Sequence, residues 1–389
     1  MYDIIVVGAR CAGAPTAMLF ARAGYQVMML DRAKFPRDAL STLYIHQPGI
    51  ALLHRWRLLD ALVASGCPPI TSALHQVDGV RLQGCSQPVN GIRAAYAPRR
   101  YVLDQILIDA AVAAGVDFRP ECTVEDLLFD DNGRAVGVRC KRFDTHARLV
   151  VGADGMRSRV ASTVDARIEV EHPEQTCVYY SFWEKVPAWF EAYGTRGRWA
   201  GCVPTHDGLT LVGAYFPQSE YPRVRVDARA AYLENLSAVA PDLHARVMGG
   251  AQAERLYGTG AQRNFFREAS GAGWALVGDA GHHKDSILAN GITDAFRQAQ
   301  LLVDCVGSAL HDEPALRSAL CRFAGERARL FTGTYQDTLS VAKLNPGRRL
   351  STLREIAADP VQVERFFTAI AGATKDDDLF TTSFVPVPG

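Results

Sequence analysis

The residues best placed to do chemistry form three glycine and aspartate groups far apart in the chain. The first is the turn Gly8-Ala9-Arg10-Cys11-Ala12-Gly13, followed by Asp31 and Arg32. The second is Asp154-Gly155-Met156-Arg157-Ser158, and the third is Gly278-Asp279. Glycines let a backbone approach a phosphate closely. A helix starting just after them turns free N–H groups toward that phosphate, and an acid about 20 residues further on can accept from ribose hydroxyls. Gly8, Ala12, Gly13, Asp31 and Arg32 therefore read as a dinucleotide site, with FAD and NAD(P) both open. Arg10 stands where such turns carry a middle glycine. Its guanidinium either serves the cofactor as a charged donor or points to solvent, and the two readings weigh equally. Cys11 reads as a small residue packed beneath the pyrophosphate, although a helix N-terminus can also lower a thiol pKa.

The elements around these groups must bring them together. Asp3 to Val7 is an apolar, β-branched run that predicts a buried strand. A helix with Pro15 early in it runs to Gly24, and a second strand covers Gln26 to Leu30. A helix begins at His46 and Gln47, which could face a cofactor, and continues through Ile50, Leu53, Trp56, Leu59 and Leu62. Short antiparallel strands are expected in 76–97, then a helix from Arg100 to Gly115, a strand at Val116 to Phe118, and a hairpin about Asn132-Gly133. Arg148 to Val151 and Trp274 to Val277 repeat the logic of the first strand: each is an apolar run delivering Gly and Asp at its carboxyl end, where open α/β sheets bind ligands. Between them, Cys177 to Trp183, Arg198 to Pro204 and Leu209 to Phe216 read as aromatic-rich strands, and Ala228 to Val239 as a helix. Helices follow at Pro314 to Phe331 and Leu353 to Ile370, ahead of a polar, proline-broken tail.

With 389 residues the chain has room for two or three domains' worth of core at about 150 residues per domain. The 42 basic and 42 acidic residues cancel, so no global field favours nucleic acid or an anionic membrane. No apolar run approaches the roughly 20 residues of a membrane span, and the first strand leaves no room for a signal peptide. A cytoplasmic protein with a small-molecule partner is expected, its oligomeric state open. The nine cysteines show no metal or redox spacing, so no metal site is expected.

The three groups, in this order and over nearly the whole length, resemble the FAD-dependent class A aromatic hydroxylases of the para-hydroxybenzoate hydroxylase type. The resemblance implies an α/β fold: a Rossmann-like FAD-binding domain of the glutathione-reductase type, with an inserted antiparallel-sheet substrate domain and C-terminal helices. The ranges are 1–75, 98–165 and 267–330 for FAD, 76–97 and 166–266 for substrate, and 331–389 for the C-terminal segment and tail. It further implies that Gly8, Arg10, Gly13 and Asp31 hold the ADP half of FAD, and that Asp154-Gly155 supports both FAD and NAD(P)H. Asp279 would bind the ribityl chain, Arg100 the flavin, and the Val124 backbone the adenine. The loop to Ala289, Asn290 and Gly291 would wrap the isoalloxazine edge, the next helix N-terminus stabilising negative charge on the reduced ring. The chain departs from the pattern in lacking a proline near Ser286 and a glycine near Leu288, and in carrying Gln47 where many relatives have Arg.

The activity implied is that of a monooxygenase using NAD(P)H and O₂ to hydroxylate or epoxidise an aromatic or other electron-rich small molecule. A flavin reductase of prenyl double bonds shares the fold, and Tyr179-Tyr180-Ser181-Phe182-Trp183 resembles its aromatic motif without the following proline. Flavin halogenases also share it, but their Trp-x-Trp-x-Ile-Pro signature is missing; a non-catalytic flavin-binding module is the remaining alternative. Tyr179, Trp183, Trp199, Tyr215 and His283 are the expected substrate contacts. No residue is assigned a catalytic role, although His283 and Lys284 are candidates for proton handling.

Overall fold

A computed structural model describes residues 1–347 and 349–373. The expected tail features at Lys375 to Asp378 and Phe384 to Pro388 lie outside the described residues. Strands Trp274–Leu276, Phe143–Gly152, Tyr2–Val7, Val27–Leu30 and Asp117–Arg119 lie side by side in that order, all parallel, so the carboxyl ends of the first three strand runs meet at one edge. Ile4, Ile5, Val6, Leu149, Val150 and Val151 are fully buried, as expected of a parallel sheet covered on both faces. The Phe143–Gly152 strand serves twice. Its first half pairs with Ala135–Cys140, adding a third strand to the hairpin expected about Asn132-Gly133, and its second half enters the parallel sheet.

Helices Gly13–Arg22, Arg100–Ala113 and Gly291–Val306 cover one face of this sheet. The helix expected from His46 to Val63 is two, Gln47–Arg55 and Leu59–Ala64, broken where Arg57 takes a left-handed φ of 62°. The expected Leu353 to Ile370 helix is likewise two, Arg349–Ala357 and Pro360–Ile370, because Pro360 has no N–H to continue the first and starts the second. The Glu313–Ala342 helix is longer than its sequence pattern and packs along Gly291–Val306.

The second sheet carries strands Thr176–Glu184, Thr210–Pro217, Arg198–Pro204, Phe190–Thr195, Ala73–Val77 and Val80–Gly84 as consecutive neighbours. Its pairing is not wholly antiparallel. Phe190–Thr195 runs parallel to Ala73–Val77, a strand that begins ahead of the boundary expected at residue 76. Helices Ala228–Val239 and Pro241–Gly249 cover one face of this sheet, where Tyr179, Trp183, Tyr193 and Phe216 form their core. Val178, Trp199 and Tyr215 stand in register on the other face. A third, three-stranded sheet was not legible in the sequence: His282–His283 pairs with Asn264–Arg267, which pairs with Ile168–His172, and this anchors the loop after Asp279. Among the described residues, no helix is long and apolar enough to cross a membrane.

Candidate functional site

The carboxyl ends of the parallel strands open into a cleft of about 960 Å³, at the upper end of the roughly 300–1,000 Å³ usual for small-molecule and cofactor sites. Its first wall is the turn after Tyr2–Val7. Gly8 has φ of 105°, and a Cβ there would sit 2.3 Å from the Ala153 carbonyl oxygen. A Cβ on Gly13 would lie 1.7 Å from the Gly8 oxygen, so both positions exclude a side chain. The helix that starts at Gly13 has no side-chain cap and no acid in its first turn, which leaves its N-terminal dipole to a ligand. Asp31 is held by the Ala9 N–H at 2.8 Å and the Ala33 N–H at 2.7 Å. Its carboxylate keeps lone pairs for ribose hydroxyls.

Arg10 lines the cleft and is tied there to a buried carboxylate. Its Nη1 donates to Asp104 Oδ2 at 2.6 Å, and its guanidinium lies over Phe35. Arg100 grips the same carboxylate, Nε and Nη2 donating to Oδ1 at 3.2 and 3.0 Å. Asp104 is fully buried and shared by two cations, and Asp279 acts on Arg100 as a second anion from the cleft. Burial, the largest single influence, would lower the Arg100 pKa, but the attraction and hydrogen bond of Asp104, joined by Cys11 and Asp279, together raise it. Cys11 completes the knot, its thiol donating to Asp104 Oδ1 at 3.4 Å. Burial pushes that thiol far up, so Cys11 is packed, not activated.

The other two groups play different parts. Asp154 accepts from Ser158 Oγ at 2.6 Å and from the Arg159 and Val160 N–H groups, capping the short Arg159–Thr163 helix at the cleft rim. Gly278 takes a left-handed φ of 60°, and a Cβ there would crowd Ala12 at 2.7 Å. Asp279 is exposed to the cleft and bonds to no described residue, which leaves its carboxylate for a ligand. In the loop beyond, Lys284 Nζ is buried and paired with Asp294 at 2.9 Å and Thr334 at 2.8 Å. His283 Nδ1 donates to the Arg263 carbonyl, which leaves Nε2 as the ring nitrogen open to a ligand. Asp285 accepts from Thr176 Oγ1 at 2.7 Å and the Ile287 N–H at 3.1 Å, and burial lifts its carboxyl to about 6.

A second cavity, of about 280 Å³ and mostly apolar, lies between this loop and the open face of the second sheet. Val178, Tyr180, Phe190, Trp199, Leu211 and Tyr215 form its walls. Residues 40–42, Asp279, His283, Ser286 and Ala289 line both cavities, so the two meet at one wall.

The family model described as FAD binding domain matches residues 1–330. The chain belongs to this FAD-binding family. The flavoprotein is 24% identical over 384 residues to digeranylgeranylglycerophospholipid reductase 1 of Methanopyrus kandleri, an alignment covering 93% of this chain and 96% of that one. Its fold matches the myxobacterial chondrochloren halogenase CndH with a TM-score of 0.78 at 21% identity, covering 97% of this chain and 98% of that one. It also matches PqsL of P. aeruginosa in complex with 2-aminobenzoylacetate, with a TM-score of 0.77 at 20% identity, covering 95% and 99%. These likenesses reach the broad group of flavin-dependent monooxygenase and halogenase folds, wider than the para-hydroxybenzoate hydroxylase type. The cleft suits the cofactor: two glycines shape the turn, Arg10 and Arg100 present guanidinium groups beside it, and Asp279 stands open in the same cleft.

Of the expected cofactor residues, Gly8, Arg10, Ala12, Asp31, Arg32, Arg100, Val124, Asp154, Gly278, Asp279, Ala289 and Gly291 line the cleft. Gly13 lies beneath the turn instead. Gln47 donates to the Arg93 carbonyl at 3.3 Å beside a separate small void, and Asn290 donates to the Ile370 carbonyl at 3.0 Å, so neither is brought to the cleft. Trp199, Tyr215 and His283 line the chamber. Tyr179 and Trp183 do not: they face the helices, Trp183 Nε1 donating to Tyr232 Oη at 3.1 Å. Tyr180 takes the place expected of them, since side chains alternate along a strand. Asp104 was missed although its i,i+4 spacing from Arg100 on a helix marked the pair.

Asp279→Ala should weaken FAD binding about 10- to 100-fold, the loss of a charged acceptor for a ligand hydroxyl. Calorimetric titration of FAD into the stripped protein checks this, and an unchanged Kd removes Asp279 from the site. Native Asp285 keeps its proton to a pH well above the about 4 of an unfolded aspartate, so its contribution to stability is full below pH 4 and falls as pH rises to 6. Urea unfolding should show the parent losing up to about 3 kcal/mol more than Asp285→Asn between pH 4 and pH 7. Equal slopes would contradict a buried, protonatable Asp285.

Proposed function

We propose that this flavoprotein is a monooxygenase that uses NAD(P)H and O₂ to hydroxylate or epoxidise an aromatic or other electron-rich small molecule. The observation that carries the reading is the shared wall, which sets an apolar, aromatic-lined chamber directly against the cleft. Bound FAD supplies the redox chemistry, taking electrons from NAD(P)H and activating O₂.

The chain's own residues do the rest. Gly8, Asp31, Arg10 and Arg100 hold the phosphate and adenosine end, and Asp279 holds the chain leading to the flavin. The N-terminus of Gly291–Val306 faces the cleft and favours negative charge there. The acid in that first turn, Asp294, does not cancel this effect because Lys284 neutralises it. Lys284 is thereby committed, and His283 remains the group able to take a proton, at Nε2 on the shared wall. Val178, Trp199 and Leu211 exclude water from the chamber, which protects a reactive oxygen donor from wasteful decay.

A reductase reading draws on the full-length similarity to the M. kandleri protein. The chamber opposes it. Its volume of about 280 Å³ and its aromatic walls suit a fused-ring compound, whereas a long polyprenyl chain would have to run out of it into the adjoining cleft.

The test is turnover under ¹⁸O₂ with NADH or NADPH and a panel of phenols and aryl amines, read by product mass. One labelled oxygen atom per product, formed in proportion to NAD(P)H consumed, is expected. A product two hydrogens heavier with no label would assign the reductase reaction instead.

A further inference from the structure

One run of hydrogen bonds in the chamber wall has a fixed direction. Gln262 is buried, its Oε1 accepting from the Ser286 backbone N–H at 3.2 Å and its Nε2 donating to the Thr176 carbonyl at 3.3 Å. A backbone N–H can only donate and a carbonyl can only accept, so the amide cannot be turned over. Ser286 Oγ stands 2.5 Å from the same Oε1 and must therefore donate to it. A serine hydroxyl has a single proton. With that proton spent, Ser286 Oγ can only accept from Tyr215 Oη, 3.0 Å away.

At its other end the run has the same direction once Asp285 is ionised, above about pH 6. Gln262 Nε2 donates to Thr176 Oγ1 at 2.7 Å, and Thr176 Oγ1 donates to Asp285 Oδ2 at 2.7 Å. Asp285 also accepts from the Ile287 N–H, which holds the carboxylate in place. From Tyr215 to Asp285 every proton points the same way. The Tyr215 hydroxyl has thus given its only proton to the protein and can meet a ligand only as an acceptor. No described residue donates to it, and it lies on the wall where the chamber meets the cleft.

We propose that Tyr215 is a specificity-determining residue that selects aromatic substrates bearing a ring O–H or N–H, and that Ser286, Gln262, Thr176 and Asp285 are positioning residues that keep its hydroxyl an acceptor. The proposal rests on the reading of the chamber as the substrate site. A phenol or primary aryl amine finds its proton accepted beside the flavin. The corresponding ether or dialkylamine turns a lone pair toward another lone pair and is rejected, since a site built to bond a substrate proton discriminates strongly against the analogue lacking it.

The experiment uses the FAD-loaded protein and reads ligand Kd from the change in flavin absorbance. The paired probes are phenol against anisole and aniline against N,N-dimethylaniline. The parent should bind each donor about tenfold or more tightly than its methylated partner. Ser286→Ala returns the proton of Tyr215 to the chamber, and the ratio, read on the variant loaded to saturation with FAD, should fall to about threefold or less. Tyr215→Phe should also lose the ratio. Binding without preference in the parent, or a full ratio in Ser286→Ala, overturns the proposal and leaves the chamber reading standing. If none of the probes perturbs the flavin, the chamber reading fails and the proposal falls with it.

Discussion

The structure depends on one buried carboxylate. Asp104 is closed off from solvent between Arg10 and Arg100, and so ties the turn after the first strand to a helix that begins nearly a hundred residues later. Losing one partner of such a buried group typically costs about 3–5 kcal/mol, because the remaining charges stay in a low dielectric without compensation. The knot sets two cations about one carboxylate. A ligand phosphate bound at the turn would meet both guanidinium groups, which would link its binding to the integrity of this corner.

The second constraint is geometric. The parallel sheet delivers Gly8, Asp154 and Asp279 to one edge, and the second sheet presents Val178, Trp199 and Tyr215 in register toward the same place. The loop from Asp279 to Gly291 fills the gap, held by its pairing with Asn264–Arg267 and by the buried Lys284–Asp294 pair. Ala289 explains how the loop does without the glycine expected near Leu288. It takes a left-handed φ of 56° itself, a conformation that costs a side chain about 1–2 kcal/mol, and its methyl group becomes part of the wall between cleft and chamber.

Much of this was legible in the sequence because it is local. The three apolar runs, their terminal glycines and acids and the hairpin at Asn132-Gly133 are set by short-range pattern, and they appear where that pattern puts them. What escaped depends on partners distant in sequence. The face of the Thr176–Glu184 strand that meets the chamber is decided by its neighbours, and an aromatic run carries no parity of its own, so Tyr180 and not Tyr179 or Trp183 lines the chamber. Arg10 could not be placed because the residue that captures it lies on another helix. The direction of the Tyr215 hydrogen bond requires five residues from four segments at once.

The central claim is that cofactor and substrate occupy separate cavities meeting at one wall. Gly213 lies on the chamber floor with room for a Cβ, its nearest neighbour being Tyr180 Cβ at 3.8 Å, so Gly213→Phe should fill the chamber and leave the cleft untouched. The direct measurement is the difference spectrum of the FAD-loaded variant on adding an aromatic ligand that perturbs the parent. The account requires full FAD content with the ligand-induced change abolished; a perturbation equal to the parent's would place the ligand elsewhere and contradict it.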